Sequence, residues 1–155
     1  MGTMDYSRFE RKLAMHTAPS LLGIKCASLV SISREELDID GCVGRFNEKV
    51  AVKGLKAERL CQCGSRILLL VYRADMLERR LCEPCSREVL RSCGYTDDMG
   101  LRECLIRLSH RIESGGDFPH EIGIFLDYPT DDVVEFIRNN GCNYKLCGYW
   151  KVYGN

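Results

Sequence analysis

A run of six apolar residues near the middle of the chain, ILLLVY at residues 67–72, constrains the fold more than any other feature. Polar and apolar residues do not alternate within it, so we predict a central β-strand that is covered on both faces. The turn-forming pair Gly64-Ser65 precedes this run and follows a second β-prone segment. This spacing predicts a two-stranded hairpin over Leu55–Cys63 and Arg66–Arg73.

Helical periodicity flanks this hairpin on both sides. Apolar residues recur every three or four positions there, which is typical of amphipathic helices. The predicted helices are residues 4–16 (ending before Pro19), 34–49, 74–81, 84–93, 101–114 and a helix capped by Thr130. Further strands are predicted at Leu29–Ile32 and at residues 145–153. The sequence therefore predicts a single α+β domain over residues 1–155, a mixed α/β fold whose mostly antiparallel sheet of about four strands is packed by helices.

Charge and hydropathy narrow the classes of partner. The chain has 22 basic and 22 acidic residues, a balance that indicates neither nucleic acid nor a membrane surface as its partner. No apolar run approaches the roughly 18 residues of a membrane span, and no secretion signal is visible, so we expect a cytoplasmic protein. The ten cysteines are then expected to be reduced thiols.

The C-terminal part, residues 117–155, concentrates the side chains that suit a binding site. His120 and Glu121 are followed by Tyr128, Tyr149 and Trp150, whose rings carry polar tips. Such side chains suit a pocket for a planar or sugar-like small molecule, or a surface for a protein partner. Ordinary core packing is the competing explanation. We predict a binding domain with these five residues at its site, while the ligand and the oligomeric state, monomer or homo-oligomer, stay open.

Two alternatives use cysteine chemistry. In the first, Cys147 is the nucleophile of an enzyme and His120 stabilises its thiolate, provided that the two side chains meet in the fold. In the second, Cys61, Cys63, Cys82 and Cys85 bind zinc, because they form C-x-C and C-x-x-C pairs eighteen residues apart. The C-x-C half departs from the usual zinc-ligand spacing, and thiols packed as small core side chains explain the same four residues.

Four segments resemble one known family. They are FPHEIGIFLDYPTDDVVEFI, GCNYKLCGYWKVYG, LLVYR and APSLLGIK, and together they span most of the chain from Ala18 onward. The chain resembles the bacterial domain-of-unknown-function 3793 family, which implies a small cytoplasmic protein without an assigned activity. The resemblance implies no fixed cysteine quartet, which weakens the zinc hypothesis. It also implies more helix after GYWKVYG, so we expect an apolar surface left for a partner or a second copy.

Overall fold

The structure, a computed structural model, describes residues 3–35, 38–114 and 118–139. Within these ranges the fold is mixed α/β, with seven α-helices and a three-stranded antiparallel sheet. None of the helices described there combines the length and the apolar composition that crossing a membrane requires. The elements are α1 (Thr3–Leu21), β1 (Ala27–Ser33), α2 (Ile39–Val50), a 3-10 turn (Ala51–Lys53), β2 (Leu55–Cys63), β3 (Arg66–Arg73), α3 (Ala74–Cys82), α4 (Pro84–Ser92), α5 (Leu101–Glu113), α6 (Ile122–Phe125) and α7 (Thr130–Arg138).

The sheet has the order β1-β3-β2, so the ILLLVY strand is central and the predicted hairpin is confirmed. A β-bulge between Arg59 and Cys61 inserts Leu60 into β2, where it joins the core on the α5 side of the sheet. The described residues contain three strands rather than the four predicted. The fourth, at residues 145–153, lies outside the described ranges.

Two hydrophobic cores lie on opposite faces of the sheet, which explains why ILLLVY lacks alternation. Side chains along β3 point alternately to the two faces. Ile67, Leu69 and Val71 face a core built with α1 and α2. Leu70 and Tyr72 face a larger core built with α3 to α7. Both faces of β3 are therefore covered, as the sequence predicts.

Three local predictions need correction. The first helix does not stop before Pro19, because helical structure resumes to Leu21 after a break at Thr17, whose φ is −126°. Helix α2 begins at Ile39 rather than at residue 34, because Asp38 caps it by accepting a hydrogen bond from the Gly41 N–H. Thr130 is the first residue of α7 rather than its cap, and Pro129 occupies the cap position.

Candidate functional site

The five residues predicted to form the binding site divide between described and undescribed parts of the chain. Tyr149 and Trp150 lie outside the described residues. His120 is half-buried and places its ring edge-on against Phe136, with 4.9 Å between the ring centroids. Tyr128 is also half-buried, and the Lys25 ammonium lies 5.1 Å from the centroid of its ring. Burial raises the pKa of the Tyr128 hydroxyl.

Glu121 is fully buried and its carboxylate is occupied by three donors. The Arg111 guanidinium from α5 donates to both carboxylate oxygens, and its Nη2–Oε1 distance is 3.0 Å. The Tyr95 hydroxyl donates to Oε2 at 2.9 Å. Burial, and then the Glu121 charge, raises the pKa of Tyr95, while the hydrogen bond to Glu121 raises the pKa of Arg111. Glu121 therefore anchors the chain before α6 to α5.

Arg80 makes a second anchor at the other end of α6. Its almost fully buried guanidinium donates to the carbonyl of Ile124 at 3.0 Å and to the carbonyl of Tyr128. It also lies 3.7 Å from the carboxylate of Asp127. The planar guanidinium of arginine can donate to two carbonyls at once, whereas the ammonium of lysine is a single point charge. Arg80 thus fixes the turn between α6 and α7 against α3.

Asp127 ties the same turn to the start of β1. Its φ of +65° lies in the left-handed region, which aspartate tolerates better than most residues. The side-chain Oδ2 accepts the Cys26 N–H at 3.1 Å, and the Cys26 thiol donates to the Phe125 carbonyl at 3.4 Å. These contacts compensate for the backbone conformation. The segment HEIGIFLDYP, from His120 to Pro129, is therefore hydrogen-bonded to the rest of the fold near both ends.

The described thiols do not form the predicted zinc site. Cys61 is buried, Cys82 and Cys85 are exposed, and the side chain of Cys63 is not described. No three His, Cys, Asp or Glu side chains among the described residues lie together as metal ligands would. Cys82 and Cys85 line two different clefts.

The pKa values of several thiols are also raised, which favours the protonated form. Burial raises the pKa of Cys26 to about 12, with the Asp127 charge as the second cause. Burial likewise raises the pKa of Cys93 and of Cys104. A nucleophilic cysteine needs the opposite shift, toward the thiolate. The Cys147–His120 hypothesis concerns a cysteine outside the described residues and stays a prediction.

An open cleft of about 380 Å³ lies between α4 and α7. Two other clefts among the described residues hold about 200 and 190 Å³. The side chains that line the α4–α7 cleft recur at helical spacing, so one face of each helix contributes to it. They are Cys85, Glu88, Val89 and Ser92 from α4, and Thr130, Asp131, Val134 and Ile137 from α7.

Apolar side chains and two carboxylates set the chemistry of this cleft. Val89 is buried, whereas Val134 and Ile137 are half-buried and pack against the core, so an apolar surface lines the cleft. Glu88 and Asp131 are exposed at the cleft, and no ion pair joins either of them to a cation among the residues the structure describes. The arrangement suits a ligand with an apolar body and a positive group.

Sequence reasoning missed the second anchor, Arg80. It also missed Arg111 and Tyr95, which bind the first anchor, Glu121. A buried carboxylate needs a cation nearby, so a glutamate beside the apolar run IGIF indicates that some basic partner exists. The chain offers 22 basic residues, and local sequence does not single out Arg111 among them. The α4–α7 cleft was also missed, because it arises from the packing of two helices that are distant in the sequence.

Comparison with known proteins gives one result. A family model described as "Protein of unknown function (DUF3793)" matches residues 13–155, nearly the whole chain. Neither the search of curated proteins nor the search of solved structures gives a significant match. The match covers far more than half of the sequence and agrees with the resemblance carried by the HEIGIFLDYP and GYWKVY segments. The chain belongs to the DUF3793 family of proteins of unknown function.

Proposed function

We propose that this protein binds a small molecule in the α4–α7 cleft, and that the ligand has an apolar body and a positively charged group. The observation that carries the proposal is the combination of volume and lining in this cleft. Its volume of about 380 Å³ falls within the range of roughly 300–1,000 Å³ that is usual for small-molecule sites. The other two clefts fall below that range.

The carboxylates of Glu88 and Asp131 determine the preferred charge of the ligand. Both are exposed, and one comes from each helix, so a cationic group between α4 and α7 meets negative charge on both sides. The Thr130 and Ser92 hydroxyls add neutral polar groups to the same lining. The Ser92 hydroxyl already donates to the Val89 carbonyl at 2.6 Å, so it is left to accept a hydrogen bond from the ligand.

The predicted site residues keep two kinds of role in this proposal. His120, through its contact with Phe136, and Glu121, through Arg111, position the chain that leads into α7. They shape the cleft and do not contact the ligand. Tyr149 and Trp150 follow α7 in the sequence, and we propose that their rings contact the same ligand.

A matched pair of probes tests the charge preference. 2-Phenylethylamine and 3-phenylpropionate have similar apolar bodies and opposite charges. Saturation-transfer NMR reports their binding, and the fluorescence of Trp150, the only tryptophan, reports whether the ligand reaches that residue. We expect the amine to bind and the acid to bind at least about tenfold more weakly, because charged hydrogen bonds contribute roughly 1.5–3 kcal/mol each.

A double substitution assigns the binding to the cleft. Glu88→Gln with Asp131→Asn removes both charges from the lining and should weaken amine binding by about 10- to 100-fold. Glu35→Gln with Glu113→Gln removes two exposed charges elsewhere and should leave it unchanged. Equal binding of the amine and the acid, or an amine affinity that the Glu88 and Asp131 changes do not lower, would contradict the proposal.

A further inference from the structure

The segment APSLLGIK takes no part in the α4–α7 cleft, and it ends in a turn that presents two large aliphatic side chains to solvent. Leu22 is 73% exposed and Ile24 is 74% exposed. Gly23 between them has a φ of +77°, which glycine adopts without strain. The Ile24 N–H donates to the Pro19 carbonyl at 2.8 Å, so the backbone of this turn is tied to the end of α1.

Arg73 places a third exposed aliphatic residue beside this turn. Its guanidinium donates to the carbonyl of Leu21 at 2.6 Å and to the carbonyl of Lys53 at 3.3 Å. One guanidinium group therefore joins the end of α1 to the 3-10 turn. Val52, which is 90% exposed, precedes Lys53 in the 3-10 turn, whose backbone Arg73 holds close to the end of α1. We call Leu22, Ile24 and Val52 the apolar tip.

The charge around the apolar tip is positive. Lys53 is exposed, whereas the half-buried Lys25 ammonium lies over the Tyr128 ring and the Arg73 guanidinium donates to backbone carbonyls. In the part of the chain that the structure describes, no ion pair joins any of the three to a carboxylate. The carboxylates of this region, Asp75 and Asp127, form ion pairs with other arginines at 3.6 and 3.7 Å. The overall balance of 22 acids and 22 bases conceals this local excess.

We propose that the apolar tip inserts into the surface of a bilayer that contains anionic lipid. Three exposed aliphatic side chains with an exposed lysine in the same region match a membrane interface, where the side chains enter the acyl boundary and Lys53 meets the headgroups. A second copy of this chain would bring the same cations into opposition, so the charge disfavours self-association through the tip. This inference is independent of the α4–α7 cleft.

Vesicle co-sedimentation of the full chain tests the proposal. Vesicles of phosphatidylcholine with about 30% phosphatidylserine should sediment the protein, and vesicles of phosphatidylcholine alone should sediment much less of it. The triple variant Leu22→Asn, Ile24→Asn, Val52→Asn should bind the anionic vesicles at least about 100-fold more weakly, because each aliphatic side chain contributes through burial. Lys53→Glu should weaken binding and reduce its dependence on salt.

Two control variants separate the apolar tip from general surface effects. Ile106→Asn changes a 45% exposed aliphatic residue on α5, away from the apolar tip. Arg102→Glu reverses an exposed charge on the same helix. Both should bind like the unchanged protein. The proposal is overturned if anionic vesicles fail to sediment the protein, or if the triple variant binds as well as the unchanged chain. It is also overturned if the chain forms a dimer in solution that the triple substitution dissociates, since that result assigns the tip to a second copy.

Discussion

The buried Glu121 anchor gives the sharpest prediction for stability. Glu121→Ala removes a fully buried carboxylate that accepts hydrogen bonds from Arg111 and from Tyr95. The Tyr95 hydroxyl is buried and loses its acceptor, which costs about 1–3 kcal/mol. The Arg111 side chain is 37% exposed, so water can solvate its guanidinium once the carboxylate is gone. Losing the Arg111 hydrogen bonds should therefore cost about 1.5 kcal/mol, the lower limit for a hydrogen bond to a charged group.

The sum predicts that Glu121→Ala lowers the free energy of unfolding by about 3 kcal/mol. For a chain of this size that corresponds to a fall in Tm of about 6–12 °C. Urea denaturation followed by circular dichroism measures the change, and an unaltered m-value shows that the unfolding transition stays comparable. Glu113→Ala on the exposed side of α5 is the matched control and should cost less than about 0.5 kcal/mol.

The opposite substitution distinguishes a buried anchor from a surface ion pair. Arg111→Ala leaves Glu121 charged and without its cation in a fully buried position, so it should cost more than Glu121→Ala, about 3–5 kcal/mol. The two losses should not add, because each removes the same contact. A cost below about 1 kcal/mol for Glu121→Ala, or equal and additive costs for the two variants, would refute this account.

Three further predictions concern the second anchor, the thiols and the central strand. Arg80→Lys should lower stability by about 1–3 kcal/mol in urea denaturation because lysine cannot bind the carbonyls of Ile124 and Tyr128 together, whereas Arg79→Lys, at a 74% exposed position, should cost under about 0.5 kcal/mol. The Cys26 pKa is raised from 9.0 to about 12, so its stabilisation is fully present below pH 9 and is lost between pH 9 and 12. The loss is at most about 1.4 kcal/mol per pH unit, and Cys26→Ala should flatten that part of the pH–stability curve; an unchanged slope would remove the assignment. Leu70→Ala should cost about 2–5 kcal/mol by calorimetry, and a cost under about 1 kcal/mol would mean that β3 is not buried on both faces.

Elements whose limits depend on local sequence were predicted closely. Helix α3 ends one residue after the predicted end at Leu81, and α4 and α5 end one residue before the predicted ends at Cys93 and Ser114. The β2–β3 hairpin matches its prediction at all of its ends. These limits are set by the apolar periodicity within each element and by the proline and turn residues next to it in the sequence. The covering of β3 on both faces could also be predicted from ILLLVY, because a strand without polar alternation requires apolar partners on both faces.

Features that depend on contacts between distant residues were not predictable in the same way. Arg80, for example, donates to the carbonyls of Ile124 and Tyr128, which lie 44 and 48 positions further along the chain. The limit of prediction is clearest at Glu121. Its apolar neighbours indicate burial, but only the fold supplies Arg111 and Tyr95 as the partners of its carboxylate.

The two anchors are structurally coupled to the α4–α7 cleft, because the segment that Glu121 and Arg80 fix leads directly into α7. Helix α7 supplies half of the cleft lining, so its position relative to α4 determines the distance between Glu88 and Asp131. A variant that loosens an anchor without unfolding the chain therefore changes the geometry of two charges that it does not touch. Arg80→Lys should weaken amine binding while Arg79→Lys leaves it unchanged. If Arg80→Lys lowers stability but not amine affinity, the ligand binds elsewhere.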